Sequence, residues 1–154
     1  MLVRVPALFA LIAGLLSAQN ANDAFLGVWK LNLEKSPSTP IMRSQVVSLT
    51  SQDGMIVMTE DNVTVKGTHY RVTCKLALDG KDYPMTGSAA AIEFAAATSL
   101  GPNSVELKAK KKDGTVVGTY WMSVSNDGKM RITLFWPGSV PSGPPARVAI
   151  HDRQ

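Results

Sequence analysis

The sequence predicts an all-β domain, built as an antiparallel up-and-down barrel of about eight or nine strands. Apolar and polar residues alternate with period two in most of the strand-like runs, and no segment beyond the N-terminus has a helical period. Sequential hairpins pair neighbouring strands, and a long sheet with one dry face loses its edges by closing, which favours a barrel over a sandwich. The runs are separated by four turn-forming pairs: Asp53-Gly54, Asp79-Gly80, Asp113-Gly114 and Asp127-Gly128.

Composition limits the class of protein before any motif is considered. The chain has 154 residues, of which 45% are hydrophobic and 18% charged, so it is neither disordered nor collagen-like. The single cysteine, Cys74, excludes an internal disulfide and a cysteine-rich metal site. A net charge of +4 permits loose attraction to anionic surfaces but does not indicate a nucleic-acid partner.

The first 21 residues have the layout of a secretory signal peptide. Arg4 precedes an apolar run from Val5 to Leu16, and small and polar residues follow it. That run is shorter than the roughly 20 residues of a membrane span. We expect cleavage after Ala18 or Ala21, a single domain over 22–154 without a membrane span, and a periplasmic or extracellular monomer.

The alternation assigns one face of each strand to the barrel interior. Two proline-containing segments, Glu34 to Met42 and Pro137 to Pro145, are predicted loops, and Arg147 to Asp152 is the last strand. Trp121 falls on the outer face or at a rim. The candidate lining of the lumen is Tyr70, Val72, Cys74, Leu76, Leu107, Tyr120, Met122, Ile132 and Leu134.

The first strand carries Gly27-Val28-Trp29, a Gly-x-Trp pattern similar to that of the calycin barrels. In those families the tryptophan closes one end of the barrel and a basic residue of the last strand packs on it, which the resemblance assigns to Arg147 or Arg153. Further segments extend the resemblance over nearly the whole mature chain: 25–36, 79–87, 112–118, 125–129 and 148–154. The chain resembles a family of small exported bacterial lipocalin-like proteins of unknown function. This implies a small barrel and no established activity.

The chain also departs from the better-known calycins. The segment from Glu34 to Met42 is too short and too rich in proline for the two helices that cover fatty-acid-binding barrels. The Arg-x-Tyr clamp of those proteins falls on Ala149 and His151, so a fatty-acid function does not transfer.

Few residues suggest catalysis. Cys74 lies within a strand and lacks the basic neighbourhood that activates a thiolate. His69 and His151 lack metal-ligand spacing, so neither a metal nor a cofactor is predicted. Glu93 is the one acid whose burial would suggest a site.

Three functions remain open. The first is an exported barrel that binds a small apolar or amphipathic ligand in its lumen. The second is a cavity-free interaction module that contacts a protein or the cell envelope through an outer face or the Pro137 to Pro145 loop. The expected exposed apolar cluster of Phe135, Trp136 and Pro137, next to that loop, motivates it. An enzyme is the weakest candidate, since Glu93, His69 and Lys75 are the only groups that can be nominated.

Overall fold

The computed structural model describes residues 23–88 and 91–154. The predicted signal peptide, residues 1–21, therefore lies outside the described residues. The described chain forms ten antiparallel strands that close into one barrel. The strands are β1 (Gly27–Leu31), β2 (Met42–Gln52), β3 (Met55–Thr64), β4 (His69–Leu76), β5 (Asp79–Thr86), β6 (Phe94–Gly101), β7 (Ser104–Lys110), β8 (Val116–Val124), β9 (Met130–Pro137) and β10 (Arg147–Arg153).

Each strand pairs with its neighbour in sequence, and β1 pairs with β10 to close the barrel. The predicted antiparallel up-and-down barrel is confirmed. The strand number is ten instead of the predicted eight or nine. Within 23–88 and 91–154, no helix has the length and apolarity that a bilayer span requires.

Three of the four Asp-Gly pairs form the predicted turns. Asp53 and Gly54 have φ angles of 53° and 75°, so both residues of this hairpin turn adopt the left-handed region. The carboxylates of Asp113 and Asp127 accept backbone N–H groups two residues further on, as turn aspartates do.

The prediction of a turn at Asp79-Gly80 is wrong, because β4 and β5 are joined one step earlier, at residues 77–78. Asp79 instead begins β5 at a bulge, where its carboxylate accepts the N–H of Lys81 and the hydroxyl of Tyr83. The hydrogen bonds of the Asp79 carboxylate thus stabilise a β-bulge, although an Asp-Gly pair is also typical of a hairpin turn.

Strands β4 and β5 share fewer paired residues than any other two neighbouring strands of the barrel. Only Thr73–Thr86 and Cys74–Met85 are in register there, whereas β3 and β4 pair over eight residues. The first four residues of β4, 69–72, therefore pair only with β3 and lie beside the connection between β5 and β6. There Gly87, with a φ of 80°, lies so close to the Arg71 carbonyl that a Cβ atom would overlap it.

Candidate functional site

The barrel contains a cavity of about 370 Å³. Apolar side chains of β4 to β8 form one wall, among them Val72, Leu107 and Met122. The connection between β1 and β2, from Ser36 to Ile41, borders the cavity at one end together with Ser88 and Ile92 of the connection between β5 and β6. A volume of this size is that of small-molecule sites, so the interior is not a filled core.

Most of the predicted lumen residues line this cavity: Tyr70, Val72, Leu76, Leu107, Tyr120 and Met122. Cys74 lies on the same face and is buried in the core next to the lining residues. Burial raises the pKa of its thiol to about 11. The thiol is therefore protonated at neutral pH, as expected for a structural cysteine. Trp121 points outward and is 39% exposed.

The assignment of Ile132 and Leu134 to the lumen is wrong. Residues directly opposite each other in an antiparallel pair lie on one face, and Leu134 is opposite the outward-pointing Trp121. The inward positions of β9 are Arg131, Thr133 and Phe135, all of which line the cavity.

The reason for this error is that both faces of β9 are covered. Trp136, on the outer face, is 6% exposed because the connection from β9 to β10 packs over it and Gly143 accepts its indole N–H. Thr119 bonds to Gly138 of the same connection. Trp136 therefore lies under the β9–β10 connection, whereas Arg131 and Thr133 face the lumen. The predicted exposed cluster of Phe135, Trp136 and Pro137 is wrong as well, since Phe135 faces the cavity and only Pro137 is exposed.

One group of polar side chains inside the barrel belongs to β2, β3, β9 and β10. Asn62 Nδ2 donates to the Glu60 carbonyl at 3.4 Å, Gln45 Nε2 donates to Asn62 Oδ1 at 2.9 Å, and His151 Nε2 lies 2.8 Å from Gln45 Oε1. Because the Glu60 backbone carbonyl can only accept, each side chain in this series of hydrogen bonds donates toward it. Gln45 Oε1 is therefore an acceptor, and His151 Nε2 carries the proton. His151 Nδ1 is left as a buried acceptor without a partner.

Arg131 lies directly opposite His151 and is 4% exposed. Its Nε has no hydrogen-bond partner, and within the described chain its guanidinium makes no ion pair with a carboxylate. Burial lowers the pKa of Arg131 to about 10, against the attraction of Glu60. Burial also raises the pKa of Glu60, which the charge of Arg131 partly offsets. Burial and the positive charge of Arg131 lower the pKa of His151 to about 3, so His151 is neutral at physiological pH.

Two tyrosines and a second arginine complete the polar lining. Burial raises the pKa of Tyr70 and of Tyr120. The charge of Glu60 raises both pKa values further, and the charge of Arg147 lowers them. The Arg147 guanidinium lies 4.2 Å from the centre of the Phe135 ring. The prediction that Arg147 packs on Trp29 of the first strand is thus wrong. Gly118 makes room for Phe135, since a Cβ atom there would overlap the ring.

The other end of β10 closes the barrel around Trp29. Trp29 is fully buried and donates its indole N–H to Phe25, and the Arg153 guanidinium lies 4.2 Å from its ring centre. The same guanidinium donates to the carbonyls of Ala24, Leu26 and Gly128. A Cβ atom on Gly27 would lie 2.6 Å from Arg153, so glycine is needed there. The predicted closing roles of Gly27, Trp29 and Arg153 agree with this geometry.

The groups nominated for catalysis do not meet. His69, Lys75 and Glu93 are all exposed, and none of them lines the cavity. The ionisable groups that do line it are Glu60, Arg131, Arg147 and His151, with the two tyrosines. Sequence reasoning missed Glu60, although the alternation of Ile56 and Met58 places it on the inner face of β3. No comparable signal identifies Arg131, because the alternation of apolar and polar residues along β9 predicts that Arg131 lies on the outer face.

Comparison with known proteins gives no further assignment: no protein-family model, no curated protein and no solved structure matches this chain.

Proposed function

We propose that this protein binds a small amphipathic molecule in the lumen of its barrel. The observation that carries the proposal is the 370 Å³ cavity, which has an apolar wall and a polar wall. At the roughly 30 Å³ that a water molecule occupies in the liquid, this volume corresponds to about a dozen non-hydrogen atoms.

The two walls match the two halves of such a ligand. The side chains from β4 to β8 offer an apolar surface, along which each buried methylene of a ligand contributes about 0.8 kcal/mol. Arg131, Thr133 and His151 on β9 and β10 each have a buried polar atom that has no hydrogen-bond partner among residues 23–88 and 91–154. Such atoms are costly in a folded protein, and a ligand that bonds to polar groups of this wall reduces the cost.

The place of action in this proposal is the periplasm or the extracellular space, where a chain cleaved after Ala18 or Ala21 works as a monomer. This part rests on the layout of residues 1–21. Native mass spectrometry of the protein from its own host tests both parts. We expect the mass of a shortened monomer and an added mass of roughly 200 Da, which is lost on denaturation.

A pair of matched variants tests the lumen directly. Ala97 lines the cavity and is 1% exposed, whereas the next residue on β6, Thr98, is exposed on the outer face. Leucine at position 97 occupies the space of about three ligand methylenes, so we expect Ala97→Leu to weaken binding of 1-decanol and decanoate about tenfold or more. Thr98→Leu is the control. Calorimetry that finds no binding of either compound, or equal binding by the two variants, would contradict the proposal.

An interaction module remains the second candidate, through the outer face beside Trp121. The cavity argues against its cavity-free form, and burial of Trp136 under the β9–β10 connection removes much of the apolar surface that motivated it.

A further inference from the structure

The Arg131 guanidinium is a buried cation with no hydrogen bond to any described residue. A guanidinium has five N–H donors, and buried arginines are normally paired with carboxylates or carbonyls. The nearest described interactions are the face of Trp29, at 5.6 Å, and the longer-range attraction of Glu60. Neither of them is a hydrogen bond. The described part of the fold therefore retains a costly group that an additional molecule would satisfy.

The charges around the cavity do not balance. Arg131 and Arg147 are the cationic side chains of the lining, and Glu60 is its one carboxylate. His151 adds no charge, because it is neutral and donates to Gln45. The described lining thus carries an excess of one positive charge, which one negative charge on a ligand neutralises.

The position of Arg131 separates the charged part of the lumen from its apolar part. Thr133, two residues along β9, lies on the same inner face, and its hydroxyl is buried without a partner. Across the barrel, five strands from β9 in either direction, β4 presents Val72 and Leu76, with Met85 beside them on β5. A ligand with one polar end therefore lies with that end toward β9 and its apolar body toward β4 and β5.

We propose that Arg131 and Thr133 form the head-group subsite of the lumen and select a monoanionic amphiphile whose head is a carboxylate. A carboxylate matches the planar fork of a guanidinium in two parallel hydrogen bonds. A compact head is required, since the cavity holds only about a dozen non-hydrogen atoms in all. This inference rests on the proposed function and adds the chemical class of the ligand.

Three ten-carbon probes that differ in the head group test the subsite. Decanoate has twelve non-hydrogen atoms, 1-decanol has eleven and is neutral, and decylammonium has eleven and is cationic. We expect calorimetry at pH 7.5 to show decanoate binding at least tenfold more tightly than decanol, and no binding of the cation. If decanol and decanoate bind equally, the subsite is overturned and the lumen proposal stands. If neither binds, both are overturned.

Two variants assign the preference to the residues named. Arg131→Met keeps most of the side-chain volume and removes the charge, so we expect it to abolish the preference for decanoate while decanol still binds. Glu60→Gln removes the opposing charge, and we expect decanoate to bind several-fold more tightly and decanol to be unaffected. Persistence of the preference in Arg131→Met would overturn the proposal. Should that variant fail to fold, as judged by circular dichroism, an unchanged decanoate affinity in Glu60→Gln has the same meaning.

Discussion

Arg153 connects three separate parts of the closed end of the barrel, and its removal is the sharpest test of how that end is held. Its guanidinium donates to Ala24 and Leu26 in the N-terminal segment and to Gly128 in the hairpin between β8 and β9. It also covers the ring of Trp29 at 4.2 Å. We therefore expect Arg153→Ala to loosen β1, β10 and this hairpin together.

The size of the effect follows from these contacts. A hydrogen bond to a charged group contributes about 1.5–3 kcal/mol, and a cation–π contact about 0.5–2 kcal/mol. Arg153 is half-buried, so water replaces part of what is lost. The free energy of unfolding should fall by about 3–4 kcal/mol in Arg153→Ala. Arg153→Lys keeps the charge but not the fork, and should lose about half as much.

Urea unfolding followed by circular dichroism measures both changes through the midpoint, provided that the slope with denaturant is constant. The control is Lys66→Ala, an exposed residue of the β3–β4 connection without a described ion pair, which should shift stability by less than about 0.5 kcal/mol. If Arg153→Ala matches that control, the guanidinium does not hold the closed end. If Arg153→Lys is as stable as the original protein, charge alone is sufficient and the fork geometry is irrelevant.

Two further predictions concern the lumen wall. The pKa of His151 is lowered to about 3, below its unfolded value of about 6.5, so the folded state binds fewer protons and stability falls as the pH drops through 6.5. His151→Gln should remove up to about 1.4 kcal/mol per pH unit of that loss between pH 6.5 and 5, and identical pH profiles in urea unfolding would refute this. Gly118→Ala should cost about 1–3 kcal/mol, because its Cβ overlaps Phe135, and adding Phe135→Leu should restore much of it. Absence of that coupling in a double-mutant cycle would show that Phe135 moves away freely.

Much of the fold could be predicted because the local rules and the global topology agree. Three of the Asp-Gly pairs are turns, and the alternation of β4, β7 and β8 gives the correct inner face. These strands have one dry face and one wet face, so hydrophobicity alone indicates direction. The alternation of β3 also places Glu60 inside, although nothing local says why a carboxylate is tolerated there.

The rest depended on contacts between residues far apart in the chain. The direction of Arg131 follows from the register of β8 with β9 and from the loop that covers Trp136. In sequence, a charged residue between Met130 and Ile132 has the pattern of an exposed position. Only the closed barrel shows that the positive charge lies inside.

By itself, the sequence determined the class of fold and the positions of most turns, because each is encoded by residues close together along the chain. The closing role of Trp29 was an expectation from the resemblance to calycin barrels. The tertiary structure alone decided that the barrel holds a cavity and not a filled core. It also decided that Arg153, not Arg147, packs on Trp29, and that Arg131 lies beside His151 on the wall of the lumen that Glu60 also lines. The physical reason is that cavity volume and buried charge depend on strand register and on packing between strands, which no local pattern specifies.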